Sequence, residues 1–307
     1  MAHYKADESV FSKVKDTVVV ISGGATGIGA ATVQILAQNG AKVVLGDINA
    51  DAAEQLCKTY SGLSFVKCDV SVYDDIYNLF KTAYDQHGRV DHAISSAGTF
   101  ETGNFFDPEL TLDTVKQQGN MKTLDVNLVG TLNFARVAAV FLREGRQKGE
   151  DKSIMLLSSV NALRENPGLF IYQTGKHGVQ GLLRSSRKTL YERDGTRLNA
   201  VCPGVTESEM TKAFDASTDS YPAMSQHVIP KFKENDLFYQ PADVVARTIV
   251  GVQADPSAVG KAYYIEGGDS WEIEDSIWAS QPQWLGEEAT RRLRVNHQAM
   301  LQGVLLS

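Results

Sequence analysis

The apolar positions of this chain follow two alternating periods. Short β-branched or apolar runs recur along it, and stretches with helical spacing separate them. Val18-Val19-Val20-Ile21 is an unbroken run, the pattern of a strand buried on both faces. Further strands are predicted at 42–45, 63–67, 91–95, 153–157, 197–201 and 262–265. Helical periodicity covers 28–39, 51–60, 74–87, 124–143 and 172–193, and Gly40 and Gly88 stand where the first and third of these should stop. Strands alternating with helices through short connections predict an α/β fold, a single-domain doubly wound parallel sheet of about seven strands with helices on both faces. Ligands bind such sheets at the carboxyl ends of the strands.

Three segments break the pattern. Residues 99–118 show poor periodicity and read as a surface excursion. Residues 205–240 read as a lid over the carboxyl edge, carrying Phe214, Tyr221, Met224, His227, Phe232, Phe238 and Tyr239. Residues 269–307 follow the last predicted strand and hold Trp271, Trp278 and Trp284 ahead of helical spacing at 287–302. The expected organisation is one domain over 1–268 and an extension over 269–307 packed on that domain or on a partner subunit.

Composition narrows the function. The chain has 307 residues, 43% hydrophobic and 22% charged, with a net charge of -7. That balance argues against a nucleic-acid partner. No apolar run approaches the length needed to cross a bilayer, so no membrane partner is expected. Cys57, Cys68 and Cys202 form no paired spacing, and the six histidines form no triad or metal pattern. Free thiols, no metal and a reducing, cytoplasmic compartment are expected.

The chemistry is concentrated in two places. Ser22-Gly23-Gly24-Ala25-Thr26-Gly27-Ile28-Gly29 follows the first strand and opens the first helix. Glycines there let the backbone approach a pyrophosphate, and the helix start offers unpaired N–H groups to its charge. Asp47 closes the second strand, 18 residues after Gly29, where a carboxylate accepts from ribose hydroxyls and repels a 2′-phosphate. NAD(H) is therefore expected over NADP(H). Downstream, Tyr172 and Lys176 are four apart on a helix and so share a face. A phenol is a poor base near its ordinary pKa of about 10. A neighbouring ammonium and an oxidised nicotinamide would favour the phenolate, making Tyr172 the candidate general acid/base.

Taken together, these motifs resemble those of the short-chain dehydrogenase/reductase family from about Lys15 to Gly268. The resemblance rests on the glycine turn, Cys68-Asp69-Val70, Ser95-Ser96-Ala97-Gly98, Asn127, Ser158-Ser159, Tyr172-x-x-x-Lys176 and Pro203-Gly204. It implies a Rossmann-type fold and the site residues Asn127, Ser159, Tyr172 and Lys176. Ser159 would hold the substrate oxygen, Lys176 the nicotinamide ribose, and Asn127 a water linking Lys176 to solvent. Gly23, Thr26, Gly27, Ile28, Gly29 and Asp47 would bind cofactor. So would Asp69 and Val70 beside the adenine, Ala97 and Gly98 beside its ribose, and Pro203, Gly204, Val205 and Ser208 near the carboxamide. Assembly as a homodimer or homotetramer through the two long helices is also implied.

Three departures stand out. Ser95 and Ser96 replace the family's usual paired asparagines. Gly175 and Gly178 flank Lys176, each weakening a helix interior by roughly 1 kcal/mol relative to alanine. The chain also continues 39 residues past Gly268. The expected activity is hydride transfer between NAD(H) and a secondary alcohol or ketone, on an apolar or cyclic small molecule. The alternatives are a non-catalytic cofactor-binding sensor or scaffold, and the same site used for dehydration or isomerisation.

Overall fold

The computed structural model describes residues 2–210 and 228–301. A nine-stranded sheet runs through the molecule in the order β1-β9-β8-β7-β6-β5-β2-β3-β4. Its parallel body consists of β2 (Val18–Ser22), β3 (Lys42–Asp47), β4 (Leu63–Lys67), β5 (His92–Ser95), β6 (Lys152–Leu157), β7 (Thr196–Pro203) and β8 (Ala262–Glu266). These are the seven predicted strands, within a residue or two at each end. Two more strands correct the count. β9 (Asp269–Glu272) turns back on β8 through Gly267 and Gly268, both in the left-handed region, and β1 (Ala2–Tyr4) pairs with β9; both pairings are antiparallel. Strands this short, at a sheet edge, leave too little period-2 pattern to read.

The side chains of the central strands alternate between two cores. Val18, Val20, Val44, Ala93, Ile154, Leu156, Leu198 and Ala200 point to one face, against Phe80 of α3 (Tyr73–His87), Phe134 of α4 (Lys122–Arg143) and Val179 of α5 (Phe170–Asp194). Val19, Ile21, Val43, Leu45, Ile94, Met155 and Val201 point to the other, against Val33 and Leu36 of α1 (Gly27–Gln38), Ala53 of α2 (Ala50–Thr59) and Ile249 of α7 (Ala242–Gln253), which follows the short α6 (Val228–Glu234). Burial on both sides explains why β2 reads as an unbroken apolar run.

α4 amends one expectation. Its 22 residues, with a best-window mean hydropathy of 1.3, are long and apolar enough to cross a membrane by length and composition. Its inner face, however, is core: Phe134, Ala138 and Leu142 are fully buried against the sheet and α3.

The segment after β9 forms α8 (Glu274–Ala279), α9 (Gln281–Leu285) and α10 (Glu287–Leu301). Buried Glu274 accepts from Arg184 of α5 at 2.9 and 3.1 Å and from Gln180 at 3.3 Å, so this segment is fastened to the helix that carries Tyr172 and Lys176. Of the residues expected to line the lid, Phe214, Tyr221, Met224 and His227 lie outside the described residues. The base of that segment is held shut. Thr206 bridges Gln240, Gln240 N–H donates to the Val205 carbonyl at 3.0 Å, and Glu207 N–H donates to the Gln240 carbonyl at 2.9 Å.

Phe134 packs against Phe80 at 4.9 Å between ring centroids, with no exposure of either ring. Phe134→Ala is expected to cost about 3–5 kcal/mol through lost burial and the cavity left behind. Urea unfolding checks this: the midpoint should fall while the slope stays unchanged.

Candidate active site

At the carboxyl edge of the sheet, the β2–α1, β5–α4, β6–α5 and β7–α6 connections enclose a cleft of about 570 Å³. The glycine turn forms one end of it. Gly23 and Gly27 have φ of 68° and 53°, which side-chain-bearing residues rarely adopt. A Cβ on Gly23 would lie 2.5 Å from the Ala97 backbone, and one on Gly29 would lie 1.9 Å from the Gly23 carbonyl oxygen. The turn is therefore folded tightly against both β5 and the start of α1. Thr26 caps α1 without any side-chain hydrogen bond, and no acidic residue occupies its first turn. The N–H groups of that turn and their positive dipole end face the cleft. Asp47 buttresses the turn: Oδ2 accepts from Ala25 N–H and Oδ1 from Asn49 N–H, both at 2.9 Å. Asp69 and Val70, just after β4, and Ala97, just after β5, also line the cleft, and Gly98 lies toward Lys176: a Cβ on it would be 3.7 Å from the Lys176 Nζ. A dinucleotide's pyrophosphate and ribose fit this cradle on shape and charge.

Ser159, Tyr172 and Lys176 line the cleft further along, as do Pro203, Gly204 and Val205; Ser208 stands against the glycine turn, its Cβ 3.1 Å from where a Cβ on Gly27 would lie. Tyr172 is the third residue of α5, and Lys176 lies one turn further on. Lys176 Nζ donates to the Leu157 carbonyl at the tip of β6, 2.9 Å away, and sits 5.6 Å from the centre of the Tyr172 ring. Ser158 Oγ returns a bond to the Lys176 carbonyl at 3.2 Å. Ser159 is within hydrogen-bonding reach of the Tyr172 phenol, and its Oγ accepts from Asn161 N–H at 3.1 Å. Asn127 is fully buried and does not line the cleft. Its amide instead clamps Thr99, accepting from Thr99 N–H and donating to its carbonyl, each at 2.8 Å. It sits in a single π-helical turn, Asp125–Gly130, and its own carbonyl accepts from Thr131 Oγ1 at 2.9 Å.

The family model described as short chain dehydrogenase matches residues 17–219. The chain belongs to that family. Relatives agree. The short-chain dehydrogenase/reductase ascJ of Acremonium egyptiacum is 33% identical over 271 residues, 87% of this chain and 83% of the relative. The short-chain dehydrogenase/reductase prx4 of Penicillium roqueforti is also 33% identical, over 216 residues; that alignment takes in 68% of this chain and 60% of the relative's own length. The crystal structure of gox2181 shares the fold: its TM-score is 0.67 at 23% identity, over 85% of this chain and 98% of that one. This is an oxidoreductase fold of the nicotinamide-dependent kind.

Against the family pattern, the departures find physical explanations. Ser95 is buried and donates to Thr131 Oγ1 at 3.3 Å, so a hydroxyl relay joins β5 to the Asn127 turn. A Cβ on Gly178 would lie 2.6 Å from Leu128, and one on Gly175 would touch Asn127 at 3.5 Å. Both glycines let α5 approach the π-helical turn of α4 closely, and that contact compensates their low helix propensity.

One electrostatic expectation needs correction. The ammonium was expected to pull the phenol down. In the protein by itself burial dominates both groups: it pushes Tyr172 up to about 12, against a lowering by the Ser159 hydrogen bond, and pushes Lys176 down to about 8. Lys176 directs one donor at Leu157 rather than at the phenol, which weakens its hold on Tyr172.

Sequence reasoning missed several cleft residues. Lys122, Asn161, Arg164, Asn166 and Leu169 line it, as do Thr99 and Phe100. Phe100 packs on Tyr172 with ring centroids 4.6 Å apart. Glu101 is 5% exposed and accepts from the amides of Phe170 and Tyr172. All of them sit in segments without periodicity, so no pattern announced them.

Gly29→Ala places a methyl group where the turn has no space. Dinucleotide affinity should fall at least about tenfold, or ~1.4 kcal/mol, while the far-ultraviolet dichroism of the fold is retained. Calorimetric titration reads the first quantity, and unaltered affinity would contradict the cradle described here.

Proposed function

We propose that the protein is an NAD(H)-dependent oxidoreductase that interconverts a secondary alcohol and its ketone, with Tyr172 as general acid/base. One observation carries this reading. Ser159, Tyr172 and Lys176 meet on one wall of the same cleft whose far end is the glycine turn and Asp47. A nicotinamide bound there supplies the hydride acceptor or donor. The chain's residues handle the proton and the substrate oxygen. Tyr172 exchanges a proton with that oxygen, and Ser159 holds it in register through its hydroxyl. Lys176 has three donors, of which Leu157 uses one, so two remain for a ribose and for the charge developing on the phenol.

Asp47 supports NAD(H) over NADP(H). Its carboxylate stands at the end of β3 where a ribose would lie, and among the described residues the cations lining the cleft are Lys122, Arg164 and Lys176. Lys122 lies toward Asp69, and Lys176 lies at the opposite end from Asp47. Phe100 and Leu169 pack beside Tyr172 and offer an apolar wall, which suits an apolar or cyclic substrate body. Half-exposed Val129, Leu132 and Val140 on α4 suit assembly as a homodimer or homotetramer through the long helices.

Tyr172→Phe removes the proton carrier without removing the ring. With NAD and a panel of secondary alcohols, followed by NADH absorbance, kcat should drop by about 10²-fold or more, while the Kd for NAD stays within about threefold. In the same assay NADP should bind at least about tenfold more weakly than NAD, because the Asp47 carboxylate faces the added phosphate. Undiminished turnover in Tyr172→Phe overturns the assignment. Cofactor binding without any absorbance change across the panel points to a sensor or a redox-neutral enzyme instead.

A further inference from the structure

We infer that Glu101 is a positioning residue for Tyr172: a carboxylate from the β5–α4 excursion caps the start of α5 and so fixes where the phenol stands. This rests on the reading of Tyr172 given above. α5 begins at Phe170 with Leu169 as its N-cap, and neither a side-chain cap bond nor an acidic first-turn residue is present in the helix itself. The first amides of a helix have no acceptor within the helix itself. Glu101, 69 residues upstream of Phe170, provides one. Oε1 accepts from Phe170 N–H at 3.0 Å and Oε2 from Tyr172 N–H at 2.6 Å, and the Ile171 amide also bears on the same carboxylate. The side chain is 5% exposed, so water competes poorly for these amides.

The location matters more than the cap. Tyr172 is the third helical residue, inside the turn that frays first when a helix start is uncapped. Its own N–H is among those that donate to Glu101. The excursion that carries Glu101 is itself anchored on both sides. Thr99 is clamped through its N–H and carbonyl by Asn127, and Phe100 packs on the Tyr172 ring at 4.6 Å. Residues 98–101 thus form a strap from the π-helical turn of α4 to the first turn of α5. Lys176, a turn deeper, is held independently by Leu157 and Ser158. Loss of Glu101 should therefore loosen Tyr172 and leave Lys176 and the glycine turn in place.

Glu101→Gln and Glu101→Ala, each in the full chain, separate this role from general stability. The first readout is amide hydrogen exchange, which needs no substrate. Exchange at residues 170–172 should accelerate about tenfold or more in Glu101→Ala and by less in Glu101→Gln, with 176–190 unchanged. The second is NAD affinity by calorimetry, expected within about twofold of the wild type. The third is turnover on whichever alcohol the panel identifies: kcat should fall about tenfold or more with KM within about twofold, and Glu101→Asp should recover part of it. Unchanged exchange at 170–172 overturns the inference. So does loss of NAD binding in step with activity, which marks a collapse of the fold. If the enzyme reading itself fails, turnover is absent in wild type and variants alike, while the exchange result still decides the capping role.

Discussion

The hydrogen bond from Lys176 to the carbonyl of Leu157 fixes the relation between the sheet and the chemistry. It ties α5 to the carboxyl tip of β6, the strand that also delivers Ser158 and Ser159. With Ser158 returning a bond to the Lys176 carbonyl, helix and strand are joined at two points within the site. Tyr172 then falls one turn earlier on α5, within hydrogen-bonding reach of Ser159. The glycine turn lies on the other side of β5, two strands away in the sheet, so both ends of the cleft are set by the order of parallel strands.

A cleft built this way works against charge. The phenol and the ammonium are both nearly excluded from solvent, and each is pushed toward its neutral form. A neutral phenol holds its proton firmly, while a lysine near 8 still carries most of its charge at neutral pH. Burial thus leaves the phenol protonated in the protein by itself. Under the function proposed above, positive charge entering the cleft beside it would favour the phenolate. The backbone carbonyls, hydroxyls and amides around it are already aligned and need little rearrangement when that happens.

Much of this was legible in the sequence, and the reasons differ by element. The central parallel strands announced themselves because double burial forces continuous apolar runs, as at Val18–Ile21. The glycine turn was legible because only glycine tolerates the φ of Gly23 and Gly27 and the closeness of Gly29 to Gly23. β1 and β9 escaped notice because edge strands of three or four residues carry little pattern. The strap at 98–101 escaped because its function depends on contacts with α4 and α5, 28 to 71 residues away, and nothing in its own spacing encodes them. The balance between burial and the ammonium was likewise unreadable. Spacing places two side chains on one face, but only packing says how dry that face is. The glycines at 175 and 178 are the converse case: they look like defects along the helix and prove to be its contact surface with Leu128 and Asn127.

The central claim is that Tyr172 is held neutral by burial and yields its proton when a cationic ring lies beside it. The direct measurement is the ultraviolet titration of the phenol, taken as the difference between the wild type and Tyr172→Phe, without and with saturating NAD. The phenolate signal should emerge near the top of the accessible pH range in the free protein and at least about one unit lower with NAD bound. A difference signal that NAD leaves where it was, in a protein that binds NAD, would contradict the account.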